Sequence, residues 1–493
     1  MSTDTAPKTN PEVRALEPVA LWNHFADLNA VPRPSKKEER VIEFMKNFGE
    51  NLGLETIVDE VGNVIVKKPA TDGMEDRQTI VIQSHLDMVH QQNAGTGFDF
   101  ENEGIRMVVD GDWVRADGTT LGADNGLGVA SIMTLLSSTD IPHPAIEALF
   151  TIDEETGMTG AQGLKGGMLT GAIMLNLDTE EDHVLTIGCA GGIDITAEAT
   201  YSAEPVSGVE GRTINVRGLQ GGHSGMEIHL GRGNSNKLMN RILWHGAKQF
   251  GLKVHSIDGG GLRNAIPRES VATVAIPSER TSEFDSWLKT EIESIVAEYK
   301  TTDPEIEIVS QAGNAPVDVL PAEFQKTVLG ALYANPNGIH RMSPDIDDLV
   351  QTSNNLARVE VSGGKLEIQN LTRSSVNTER DDLASAIVAV LELTGAEVTT
   401  AGGYPGWQPV PGSPIVSLMA DLYEQMFGEK AHVEACHAGL ECGIVGTNYP
   451  EMQMISFGPN IKGAHSPDER CQISSLQKFW KFLLETLKNI PKK

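Results

Sequence analysis

Three short apolar runs each lead into side chains that can hold a divalent cation: TIVIQS into His85, ALFTID into Glu154 and Glu155, and IMLNL into Asp178. Runs rich in β-branched and aliphatic residues, alternating with stretches of helical spacing, predict an α/β domain with a largely parallel or mixed sheet. Open α/β sheets bind ligands outside the carboxyl ends of their strands, so three strands would deliver these side chains into one crevice. That placement constrains both fold and chemistry.

Around these runs, strands are expected at 56–58, 64–66, 79–82 and 147–152, with a helix after Gly126. The apolar residues Val13, Leu16, Val19, Leu21, Phe25 and Leu28 predict one helix over 12–31, ended by Val31-Pro32-Arg33-Pro34. Ser35 followed by Glu38 has the pattern of a capping box for a second helix bearing Val41, Phe44, Met45, Phe48 and Leu52. From about 195 the character changes. A strand at Thr213–Val216, the loop GLQGGHSG and an amphipathic helix with Leu238, Met239, Ile242, Leu243 and Phe250 come first. A strand near Lys365–Ile368, a polar loop with Arg373 and a helix from Asp381 to Leu393 then repeat the order, which suggests a duplicated β-α arrangement. After AGGYPGWQPVPGSP the pattern returns to helix, strand (Met452–Phe457) and a loop bearing His465. Because that loop must join the earlier side chains, the middle segment reads as an insertion. The expected division is an α/β domain at 1–194 and 397–493, interrupted by an inserted α+β domain at 195–396.

His85, Asp124, Glu155, Asp178 and His465 offer two imidazoles and three carboxylates, a donor set for two divalent cations with Asp124 as the natural bridge. His85 and Asp87, two apart in extended chain, face the same side, so Asp87 would orient the His85 ring by accepting its second N–H. Asp124 lies in LGADNGLG, where glycines permit a tight turn into the following helix. Mixed imidazole and carboxylate ligands suit zinc best, with cobalt or manganese as substitutes. Two such ions roughly 3.5 to 4 Å apart share a water and activate it. Glu154, next to the ligand Glu155, would take that water's proton and pass it to the leaving amine.

Each residue has an ordinary reading when taken alone. His85 beside Asp87 reads as a ring held by a carboxylate, Glu154-Glu155 as a solvated corner, Asp124 as a turn or helix cap, and His465 as part of a polar loop. Together they resist that reading, since so many carboxylates in one crevice repel unless cations neutralise them. GLQGGHSG invites a phosphate-loop reading, but no Gly-Lys-Ser/Thr follows it. His437 and Glu441, four apart, would share a face if helical, without an HExxH, and remain candidates for supporting or substrate contacts.

With 493 residues the chain exceeds what one core usually holds, so two or three domains are expected. Its net charge of −29 argues against nucleic-acid or anionic-membrane partners. MSTDTAPKTN lacks the basic and apolar regions of a secretory signal, and no apolar run is long enough to span a bilayer, so a cytoplasmic location is expected. The four cysteines form neither a dense framework nor a CxxC pair, and read as reduced, mostly buried thiols.

HLDM, GADNG, TIDEETG, LNLDTEE and GAHSPDE, in this order and spacing, resemble the co-catalytic zinc aminoacylase and carboxypeptidase superfamily, and within it the aminoacyl-histidine dipeptidase branch. The resemblance covers nearly the whole chain, including GLQGGHSG, LRNAIPRE, GGYPGWQP and HAGLECG. It implies a homodimer with an inserted lid, two zinc ions per subunit, and hydrolysis of unblocked Xaa-His dipeptides such as carnosine (β-alanyl-histidine) by a hydroxide shared between the ions. By motif, His85 and Asp178 would bind one metal, Glu155 and His465 the other, and Asp124 both, with Asp87 as helper and Glu154 as general base. His223 would stabilise the oxyanion, while Asn264, Arg373 and Gly439, with His223, would contact substrate. Two other classes stay open: a tripeptidase or N-acyl-amino-acid deacylase using the same centre, and a metal-dependent dipeptide-binding protein that does not hydrolyse.

Overall fold

The structure, a computed structural model, describes residues 10–493. The described residues divide into two compact units, one of residues 10–188, 409–435 and 440–493, the other of 189–408 and 436–439. These breaks fall at 188/189 and 408/409 rather than at 194/195 and 396/397. The reason lies in strand pairing: Gly191–Thr200 and Glu397–Tyr404 hydrogen-bond to each other in the second unit's sheet.

The first unit is built on an eight-stranded mixed sheet. At its centre Ile146–Thr151, Ile80–His85, Ile173–Asn176 and Gln453–Ser456 run parallel in that spatial order. The first three are buried at every position, as expected of parallel strands covered on both faces. Ile80, Val81 and Ile82 are fully buried, and truncating one of them to Ala would cost about 2–5 kcal/mol. Outward from Ile146–Thr151 the sheet turns antiparallel through Val64–Lys68 and Glu55–Val58. The helix Ala123–Ser137 packs on Ile80–His85 and on the helix Val19–Leu28. Its near-continuous burial, from Asn125 to Leu136, follows from apolar and small residues all round it. A smaller four-stranded sheet joins Met107–Asp110, Trp113–Ala116, Arg470–Gln472 and Ile461–Lys462.

Two amino-terminal expectations fail. The single helix over 12–31 is two helices, Pro11–Arg14 and Val19–Leu28, because Pro18 has no N–H to continue the ladder. The capping box is absent. Helix Glu39–Asn51 is preceded by Glu38, whose carboxylate accepts from the Lys36 backbone N–H at 2.9 Å, and the Ser35 hydroxyl is committed elsewhere.

The second unit carries a nine-stranded antiparallel sheet. One half follows the order strand Val209–Arg217, helix Ser235–Phe250, strands Lys253–Gly260 and Ser270–Pro277, helix Thr281–Tyr299, strand Glu307–Gly313. The other half follows the same order: strand Gly191–Thr200, helix Ala322–Ala334, strands Val350–Ser362 and Lys365–Ser374, helix Asn377–Glu392, strand Glu397–Tyr404. In both halves the strands lie in the spatial order fourth, first, third, second, a split β-α-β arrangement. The first half is inserted after the first strand of the other. The repeat is therefore present, but Val209–Arg217 corresponds to Gly191–Thr200 and not to the strand beginning at Lys365. A continuous apolar core that includes Leu243, Phe284, Ile368 and Ile387 joins sheet and helices.

Candidate metal centre and substrate-binding residues

Within the first unit the parallel register aligns the expected side chains. His85 is the last residue of its strand and pairs with Thr151, while Gln83 pairs with Asn176. Three adjacent strands thus end level, and His85, Glu154–Glu155 and Asp178 emerge side by side.

His85 Nε2 lies 3.2 Å from Asp124 Oδ1 and 3.5 Å from Asp178 Oδ1. On the other ring edge, Nδ1 is 3.4 Å from Asp87 Oδ1 and 3.2 Å from the Asp87 carbonyl. His465 Nε2 approaches Glu155 Oε2 at 3.0 Å and Asp124 Oδ2 at 3.3 Å. The two oxygens of Asp124 therefore face two different imidazoles, one in each of two side-chain groups. His85, Asp124 and Glu155 each offer a ligand atom within 4.8 Å of the others. Asn125 donates to the Leu177 carbonyl at 2.7 Å and to Asp178 Oδ1, which fixes the third carboxylate.

The electrostatics are those of a site built for cations. Burial pushes Glu155, Asp178 and Glu154 upward, Glu154 well above the carboxylate range. Burial works against the charged ring of His85, but Asp178, Asp124 and Asp87 outweigh it and raise its pKa well above the usual value. Hydrogen bonds to Asp124 and Glu155 raise His465 to about 11. Cations binding between these groups would displace imidazole protons. Glu155 Oε1 is buried without a hydrogen-bond partner. An orphaned carboxylate oxygen among two imidazoles and two further carboxylates fits a pair of divalent cations.

Residues around this donor set hold it in place. Asp87 accepts from Ser35 Oγ at 2.8 Å and from the backbone N–H groups of Glu154 and Glu155 at 3.0 and 3.3 Å. Burial disfavours its charge, yet these bonds and His85 keep its pKa low. Arg33, 1% exposed, donates to the carbonyls of Leu86, Asp87 and Gly122. Gly122 has φ of +69°, and a Cβ there would stand 2.5 Å from the Arg33 guanidinium, so only glycine serves. Burial lowers Arg33 to about 10, with Glu469, Asp87 and Asp124 opposing. Sequence reasoning missed Arg33, because nothing in VPRPS distinguishes a buried arginine from a surface one. It also passed over Glu469, although that residue lies four positions after His465 in the same motif, and Glu180, which burial raises to about 8.

In the second unit, His223 follows the glycine loop. Its Nδ1 accepts the backbone N–H groups of Met226 at 3.0 Å and Gly225 at 3.2 Å. With Nδ1 an acceptor, the neutral ring carries its proton on Nε2. Asn264 is exposed in a turn tied to this loop, since the Ser224 N–H donates to its carbonyl at 2.8 Å. Arg373 departs from expectation: it lies within the strand Lys365–Ser374, 4% exposed, and donates to Tyr404 Oη at 2.9 Å. His437 is buried and bonded to Ser353 Oγ at 2.7 Å. Burial, then the charges of Arg373 and His223, lowers it to about 3. His437 and Glu441 do not share a helix face, because the helix begins at Glu441. Gly439 is half-buried between them.

Comparison with known proteins agrees over the full length. The chain is 40% identical to the cytosol non-specific dipeptidase of Escherichia coli K12, over 98% of this chain and 100% of that one. The crystal structure of aminoacylhistidine dipeptidase from Vibrio alginolyticus superposes with a TM-score of 0.92 at 40% identity, covering 98% of this chain and 99% of the other. A Staphylococcus aureus tripeptidase, at 15% identity, shares the fold with a TM-score of 0.56 over 96% and 99%. Residues 81–489 match the peptidase family M20/M25/M40, and the chain belongs to that family.

Proposed function

We propose that this protein hydrolyses unblocked dipeptides, Xaa-His dipeptides such as β-alanyl-histidine foremost, at a centre of two zinc ions. The observation that carries the reading is Asp124, whose two carboxylate oxygens face His85 on one side and His465 on the other. His85 and Asp178 would hold one ion, Glu155 and His465 the second, and Asp124 both, with cobalt or manganese as substitutes. When bound, such ions acidify water and polarise a carbonyl. Likeness to the dipeptidases of Escherichia coli and Vibrio alginolyticus supports the substrate class.

The chain's own residues supply the rest. Glu154, next to Glu155 in the loop after the strand Ile146–Thr151, takes the proton of the attacking water and delivers it to the departing amino group. Asp87 keeps the His85 ring in orientation. His223, with its proton on Nε2, donates to the oxyanion. The Arg373 guanidinium suits the dipeptide carboxylate, and Asn264 and Gly439 complete the substrate contacts. A cytoplasmic homodimer accords with the reading. Among the described residues no helix is long and apolar enough to cross a membrane.

The test is a panel of β-alanyl-histidine, a tripeptide and an acetylated amino acid, assayed with zinc. Release of free histidine from the dipeptide alone supports the reading. Turnover of only the tripeptide or the acetylated substrate would move the specificity elsewhere in the family, and binding without hydrolysis would make the protein a dipeptide binder.

A further inference from the structure

Within the electrostatic reach of His85, Asp178 and Asp87 lies a buried carboxyl group that the proposed chemistry does not use. Glu441, the first residue of the helix Glu441–Asn448, is 0% exposed. Its Oε2 accepts Gln83 Nε2 at 2.6 Å and Thr151 Oγ1 at 2.6 Å. Gln83 also donates to Thr151 Oγ1 at 3.0 Å and accepts from Asn176 Nδ2 at 2.5 Å. The network thus joins three neighbouring parallel strands, and each tie sits just before a site residue. Gln83 precedes His85 by two positions, Asn176 precedes Asp178 by two, and Thr151 precedes Glu154 by three.

We infer that Glu441 is a positioning residue that acts in its uncharged form, locking the three strand ends in the relative placement that His85, Glu154 and Asp178 need. Oε1 is buried with no partner, an arrangement far less costly for an acid than for a carboxylate. Burial pushes the group up to about 8 against the Thr151 hydrogen bond and the charge of His85, with Asp178 and Asp87 adding to the rise. An anion there would repel Asp178 and Asp87. A neutral acid braces the strands through Oε2 and adds no charge. Its two bonds come from the middle strand and one flanking strand, and Gln83 passes the tie to the other, so a small shift of Glu441 reaches all three. Displacement of a catalytic group by about 1 Å can cost a hundredfold in rate.

The inference rests on the dipeptidase reading, and the experiment separates the two. Wild type, Glu441→Gln and Glu441→Leu are prepared with zinc, and metal content, melting temperature, kcat and KM for β-alanyl-histidine are measured. Glutamine has the same shape, its amide oxygen can accept both bonds, and it carries no charge. Glu441→Gln is expected to hold kcat within about threefold of wild type, whereas Glu441→Leu loses about ten- to a hundredfold in kcat with KM little changed. If the leucine variant does not fold, Thr151→Val, which removes one donor, is expected to lower kcat about fivefold. A merely structural role would lower the melting temperature and leave kcat per metal-loaded molecule intact, and that result overturns the inference. So does equal damage from glutamine and leucine, which would mean that Glu441 acts as an anion. An inactive wild type contradicts the dipeptidase reading instead.

Discussion

The carboxylate of Glu469 accepts the backbone N–H of Asp124 at 3.2 Å, so the residue facing both imidazoles of the centre is held through its main chain by a second acid. The same carboxylate accepts from Leu121, Gly122 and Ala123 at 2.7, 2.9 and 2.8 Å. Four donors converge on two oxygens, which only a carboxylate can satisfy. In Glu469→Gln the amide NH2 would meet two of those N–H groups head-on. Loss of this support is expected to weaken metal affinity about 10- to 100-fold. Chelator competition on the purified variant measures it, and wild-type affinity would show that the turn holds its shape unaided.

Glu154→Ala separates metal binding from proton transfer. Its side chain belongs to neither metal-ligand group, so metal content is expected to stay near two per chain while kcat falls by about 10² to 10⁴. Metal analysis beside a turnover assay decides the matter, and retained hydrolysis would remove Glu154 from the mechanism.

His223→Ala removes a donor whose tautomer is fixed by two backbone N–H groups on Nδ1. The loss is expected chiefly in kcat, about 10² to 10³. Steady-state kinetics read it directly. A change confined to KM would make His223 a substrate contact only.

Glu441 also sets a dependence of stability on pH. Its pKa rises from 4.5 to about 8 on folding, so between these values the folded chain holds a proton that the unfolded chain has lost. Its contribution is fully present below pH 4.5 and fades as pH rises through about 8, by at most about 1.4 kcal/mol per pH unit. Glu441→Gln carries no such proton. Denaturant unfolding of the chelator-stripped proteins is therefore expected to show wild type losing stability relative to this variant from pH 5 to pH 8, and parallel curves would refute the protonation assigned here.

Much of the centre was legible in the sequence because its chemistry is written in side-chain identity. His85, Asp124, Glu155, Asp178 and His465 stand out as metal-competent residues, and the apolar runs before three of them predict the parallel strands that bring them level. Residues acting through the backbone were harder to read. Glu469 and Arg33 hold turns by bonding to N–H and C=O groups that every residue possesses, so their partners leave no mark in the sequence. Ser35 shows the same limit: its spacing to Glu38 suggested a local cap, but its hydroxyl is drawn to Asp87, fifty-two positions away. The repeat in the second unit was visible as strand followed by helix. Its true register was hidden because one half is inserted after the first strand of the other. Arg373 was expected in a loop because a charge in a central strand runs against hydropathy. In the strand its guanidinium donates to Tyr404 Oη.

The central claim, a two-cation centre that cleaves dipeptides, is tested most directly by titrating zinc into chelator-stripped protein while following histidine release from β-alanyl-histidine. Activity should be absent without metal, rise with added zinc and level off at two equivalents per chain. Full activity in the stripped protein, saturation at a single equivalent, or no release at any zinc level would contradict it.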